Sequence, residues 1–95
     1  MLAKIPINLE KVKEEDLNKE ILRLAMIAEL DAINLYEQMA NLTKNERIRE
    51  ILLDVAKEEK THVGEFLALL LKFDEEQIKE LEKGKEEVNE ILGGN

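Results

Sequence analysis

One histidine, His62, stands three residues after Glu59, and a second glutamate, Glu29, lies thirty residues before Glu59. Carboxylate oxygens and imidazole nitrogens are ligands for first-row divalent metals. A Glu and a His at i and i+3 share one face of a helix, so adjacent turns can grip the same ion. Glu29 has a further property in common with the Glu-x-x-His pair: each interrupts a seam that is otherwise apolar. Ionisable groups in such seams cost several kcal/mol each unless they are paired or bind a metal. Metal coordination is the chemistry these three side chains could perform.

The elements that must hold them are helices. Leu22, Ala25, Met26, Ala32, Ile33, Tyr36, Met39 and Ala40 recur at helical spacing on both sides of Glu29, which predicts a helix over Leu17 to Leu42 with Asp16 as its N-cap. Thr43-Lys44-Asn45 breaks the pattern with cap-forming residues. Ile48, Leu52, Val55, Ala56, Val63, Phe66, Leu67, Leu70 and Leu71 then define a second helix from about Glu46 to Lys72, its stripe running through Glu59 and His62. A short connection between two long helices makes an antiparallel hairpin. With the turn near Lys44 or Asn45, Glu29 comes to lie beside Glu59 and His62.

Asp74 can cap a third, shorter helix with a thin stripe of Ile78, Leu81, Val88, Ile91 and Leu92, interrupted by Gly84; such a helix depends on docking. Residues 1–16 hold the only proline, Pro6, and read as an extended segment followed by a short helical turn. Gly93-Gly94-Asn95 reads as a flexible end or the start of a linker. No internal repeat is visible. The expected fold is all-α, a single domain over residues 1–95: an antiparallel two-helix hairpin plus a shorter C-terminal helix.

Composition agrees and excludes several functions. With two Phe, one Tyr and no Trp among 95 residues, the core must be aliphatic, as in packed helices. A net charge of -8 argues against binding nucleic acid and favours cations. Zero cysteines remove thiolate chemistry and Cys-held metals, and fit a cytosolic location. No apolar run approaches the ~20 residues of a membrane span and the start lacks a signal-peptide core, so a soluble, unexported protein is expected.

One Glu from one helix and Glu-x-x-His from the next are half the ligand set of the di-iron carboxylate bundles. With a single histidine per chain, the other half, if the full set is needed, must come from another subunit, and a two-fold axis through the site would supply it with the same residues. The site would then be the dimer interface, completing a ferritin-like four-helix bundle. Bridging carboxylates with terminal imidazoles suit paired iron, although ligand type alone leaves Mn and Zn open.

Ala28-Glu29-Leu30-Asp31-Ala32-Ile33-Asn34-Leu35-Tyr36-Glu37, followed by Glu58-Glu59-Lys60-Thr61-His62, resembles the encapsulated ferritins, short two-helix ferritin-like proteins housed in encapsulin shells. The likeness is densest from Ile21 to Leu71. It implies a ferroxidase that oxidises Fe(II) to Fe(III) with oxygen at an inter-subunit di-iron site, for iron storage and detoxification inside a cytoplasmic encapsulin nanocompartment. It further implies metal-bridged dimers, commonly five in a ring to give a decamer, and a shell protein that is either separate or fused after the chain, as Gly93-Gly94-Asn95 would suit. No shell-targeting tail is visible. Glu29, Glu59 and His62 would be the ligands, Tyr36 a residue behind them, and Asp31 and Glu58 flanking acids that attract or relay ferrous ions.

Plainer readings stand beside these. A lone His is more often packed or exposed than a ligand, and it is the joint placement with Glu29 that points to metal. Asp31, Glu37, Glu58 and Glu65 read otherwise as solvated carboxylates or partners of Lys60 and Arg47. Tyr36 reads as a core aromatic, and Met26 and Met39 as gap-filling core residues. The alternative function is a non-catalytic helical interaction or structural dimer, with or without a pinning metal. A peroxidase of the rubrerythrin kind is disfavoured, because those hold the whole site in one subunit and often add Cys-ligated iron.

Overall fold

The computed structural model describes residues 8–93, and the expectations for residues 1–7, 94 and 95 lie outside them. Two 3-10 turns, Leu9–Lys11 and Glu14–Asp16, lead into α1 (Leu17–Leu42), α2 (Glu46–Phe73) and α3 (Glu75–Ile91). There is no strand among the described residues. The bounds of α1 are those expected, and α2 runs one residue further than Lys72.

The expected cap at Asp16 does not form. Asp16 makes no side-chain cap hydrogen bond, and the N–H of Leu17 donates instead to the Glu14 carbonyl. The preceding turn runs straight into α1, so a main-chain carbonyl takes the amide that a capping side chain would otherwise satisfy. The α1–α2 turn does use side chains. Asn45 Oδ1 accepts from the N–H groups of Arg47 and Ile48 at 3.0 and 3.1 Å, and Thr43 Oγ1 accepts from the N–H of Asn45. Arg49 reaches back, its Nε donating to the Ala40 carbonyl at 3.0 Å and its Nη2 to the Thr43 carbonyl at 2.9 Å. Carbonyls at the end of α1 are thereby satisfied from α2.

Ile33, Ala40, Ala56 and Leu70 are the buried apolar residues along the α1–α2 seam, and most of the expected stripe around them is half-buried. Ile48, assigned from the sequence to that seam, is 51% exposed, and Leu42 beside the turn is 81% exposed. Two helices can cover only one face of each other, so the rest of a broad apolar stripe stays open. The radius of gyration, 16.8 Å, exceeds the about 12 Å of a compact chain of this length.

A single residue, Asp74, joins α2 to α3. Its Oδ1 accepts from the N–H of Gln77 at 3.1 Å, the expected cap, and its Oδ2 accepts from Arg23 Nη2 of α1 at 2.9 Å. Gln77 and Leu81 of α3 border an apolar groove with Arg23, Met26, Ile27 and Leu30 of α1. Val88, Ile91 and Leu92 remain exposed, so the docking α3 needs is met on its own chain only near its start.

Asn45→Ala is expected to lower the unfolding free energy by about 1 kcal/mol through loss of the cap. Asp16→Ala should change it by less than about 0.5 kcal/mol. Denaturant midpoints for the two variants check this, and the reverse order would contradict the capping pattern.

Candidate metal centre

Glu29 sits at the middle of α1, twelve residues from Leu17 and thirteen from Leu42. Glu59 is at the middle of α2, thirteen residues from Glu46 and fourteen from Phe73. The capped turn sets the hairpin so that the two midpoints face each other. His62 Nδ1 lies 3.3 Å from Glu29 Oε2 and 3.7 Å from Glu59 Oε1. A ligand atom from each of the three residues falls within 4.8 Å of the other two.

The donor set is unbalanced without a cation. Two carboxylates at this separation repel each other, and in a half-buried site that repulsion is only partly screened. The Glu29 and Glu59 side chains are each 19% exposed and that of His62 41%. The closest cation in sequence, Lys60, is engaged elsewhere, with Nζ 3.2 Å from Glu37 Oε2, one of the ion pairs anticipated from the sequence. The imidazole can hydrogen-bond one carboxylate oxygen, leaving the remaining lone pairs convergent. Two hard carboxylates and one imidazole fit a divalent first-row ion such as iron.

Of the weaker candidates, Asp31 and Tyr36 join Glu29, Ala32 and Glu59 around a cleft of about 340 Å³. Both are half-buried. Tyr36 lies two turns from Glu29 on that side, as its spacing implied. Glu58 is exposed and does not border the cleft. Sequence reasoning did not single out Ala28 and Leu35, which also line it. The signal for the alanines was Ala25-x-x-Ala28-x-x-x-Ala32, a run of small side chains that lets another helix approach closely.

The family model described as Rubrerythrin matches residues 20–91. The chain belongs to the rubrerythrin family. Within it, the likeness is to encapsulin-associated members, as the residues around Glu29 and Glu59 suggested. This rubrerythrin-family chain superposes on the crystal structure of the encapsulated ferritin domain from Pyrococcus furiosus with a TM-score of 0.84 and 59% identity, covering 98% of this chain and 97% of that one. It is 62% identical over 87 residues, 92% of its length, to a ferritin-like–encapsulin shell fusion protein of Pyrococcus furiosus. It is 37% identical over 84 residues, 88% of its length, to the encapsulin nanocompartment cargo protein EncC of Myxococcus xanthus. The chain spans 25% of the fusion protein and 64% of the cargo protein. Among the described residues no helix is long and apolar enough to cross a membrane.

If the three side chains bind a metal, Co(II) at about 100 times its Kd should stabilise the folded state by about 2.7 kcal/mol. Glu59→Ala and His62→Ala should abolish the gain, read as the shift in unfolding midpoint with and without the ion. An undiminished shift in both variants would remove them as ligands.

Proposed function

We propose that the chain is a ferroxidase, oxidising Fe(II) to Fe(III) with oxygen at a di-iron site shared between two copies. The convergence of Glu29, Glu59 and His62 within 4.8 Å on an open face of the hairpin carries this reading. One chain offers two carboxylates and one imidazole. A two-fold axis beside the cleft doubles this to four carboxylates and two imidazoles, the complement of a di-iron carboxylate bundle.

The placement of the ligands supports the same dimer. Because Glu29 and Glu59 lie at the midpoints of α1 and α2, a two-fold axis beside them overlays the two hairpins along their full length of about 40 Å. A four-helix bundle results, and residues such as Ile48 would gain cover.

In such a centre Glu29, Glu59 and His62 of both copies would hold a pair of ferrous ions, the glutamates offering carboxylates able to be shared between ions and His62 an imidazole nitrogen. Each ion gives one electron, so a pair supplies the two electrons that, with two protons, take dioxygen to hydrogen peroxide. The protein's part is to hold both ions at one separation, with carboxylates whose negative charge favours the ferric product. Asp31, in the same cleft, would draw ferrous ions toward the ligands, and Tyr36 would border them. Exposed Glu58 could act only from the outer surface.

The cargo and shell-fusion relatives support an encapsulin compartment as the setting, with the shell protein as partner, fused or separate; a cytoplasmic location and rings of five dimers are what the resemblance to encapsulated ferritins implies. Storage of ferric product and iron detoxification follow from that housing. The second reading is a structural dimer in which His62 and the two glutamates form a hydrogen-bonded network, with or without a pinning metal; the 3.3 Å approach of His62 to Glu29 favours it.

Native mass spectrometry of protein titrated anaerobically with ferrous iron and then exposed to air separates the two. The ferroxidase reading expects two iron per dimer, even-numbered assemblies and ferric absorbance on aeration. Glu59→Ala, which removes two ligands per site, should lose the iron and lower the assembly mass. A metal-free assembly indifferent to iron would leave the structural dimer, and bound iron without oxygen consumption a pinning metal.

A further inference from the structure

Each helix's own periodicity decides which face carries its ligands, but not how α2 is rotated and tilted against α1. The seam is aliphatic over most of its length and tolerates small rotations, whereas metal–ligand distances hold within about 0.2 Å. A carboxylate oxygen carried about 6 Å from the axis moves about 2 Å when its helix turns by about 20°. Something must therefore fix α2 on α1 before Glu59 and His62 can share an ion with Glu29.

Besides the approach of His62 to Glu29 within the candidate site itself, three polar ties across the hairpin stand out among the described residues. Lys60 with Glu37 joins two exposed, flexible side chains. Arg23 with Asp74 ties α1 to the α2–α3 joint, through an arginine that is itself half-exposed. The third is of a different kind. Arg49 places two donors of its planar guanidinium on two main-chain carbonyls of the α1 terminus, Ala40 at 3.0 Å and Thr43 at 2.9 Å, both bonds partly buried. A third donor, Nη1, is 3.3 Å from Glu46 Oε1 one turn back on α2. Main-chain oxygens cannot swing to follow a rotating partner, and two donors in one rigid plane resist rotation as well as separation.

We infer that Arg49 is a positioning residue for the metal centre: by pinning the first turns of α2 to the carbonyls that end α1, it holds Glu59 and His62 at the rotation that meets Glu29. It touches no ligand and lies ten residues before Glu59. The inference rests on the assignment of Glu29, Glu59 and His62 as ligands. It extends to a residue that neither the ligand spacing nor the cleft singles out.

The test is Co(II) titration of wild type, Arg49→Lys, Arg49→Met and Glu59→Ala, following the visible d–d bands of the bound ion, with helix content read by circular dichroism. Arg49→Met is expected to keep its helix content and bind Co(II) about tenfold more weakly, with altered bands, the loss typical when support behind a ligand is removed. Arg49→Lys keeps the charge but not the fork, and is expected to fall between, about threefold weaker than wild type. Glu59→Ala should lose the bands altogether. Wild-type affinity and bands in Arg49→Met would overturn the inference. If that variant loses helix content, Arg49→Lys decides, and wild-type bands and affinity there would overturn it. Unchanged Co(II) binding in Glu59→Ala would instead overturn the ligand assignment itself.

Discussion

Two carboxylates and an imidazole held together on a half-covered helical face are the constraint around which the rest of this molecule is arranged. Glu29 and Glu59 repel each other, and His62 can satisfy only part of their hydrogen-bonding capacity. A folded chain tolerates that arrangement when a cation or a partner completes it. Everything else bears on the same spot: long helices whose midpoints carry Glu29 and Glu59, a turn capped by Asn45 that aligns those midpoints, and small residues at 28 and 32 that leave room around them.

The shape of the chain follows from the same economy of parts. A two-helix hairpin buries little more than the narrow seam of Ile33, Ala40, Ala56 and Leu70, and leaves residues such as Leu42, Ile51 and Ile91 open to solvent. Small domains are marginal because they bury so little of their surface, and association is one of the usual remedies. An open cluster of three candidate ligands and a core covered on one side only are what, in the proposed reading, a second copy would complete together. The solved encapsulated ferritin domain matches this chain over nearly its whole length, third helix included.

Most of the fold was legible because helical periodicity is strong in residues 17–73 and the turn chemistry of Thr43 and Asn45 is explicit. The convergence of Glu29, Glu59 and His62 was legible for a related reason: charged side chains at core positions stand out against an aliphatic stripe. Other features depended on contacts that no pattern encodes. Asp16 looks like a cap, yet the preceding 3-10 turn brings a carbonyl to the first amide of α1 and the side chain is not needed. Ile48 fits the seam by spacing, but it lies at the hairpin's end, where α1 no longer covers it. Arg49 reads as one more surface cation, because nothing in a sequence says which carbonyls a guanidinium will reach. Glu58 shares the acidic run with Glu59 and differs only in facing outward.

The claim on which the account turns is that one metal centre is built from two chains. Anomalous diffraction at the iron edge, from crystals loaded with ferrous iron without oxygen, addresses it directly. Two iron peaks beside a two-fold axis, each within bonding distance of Glu29, Glu59 and His62 side chains drawn from both copies, are the expected result; iron held by a single chain, or bound away from these three residues, would contradict it.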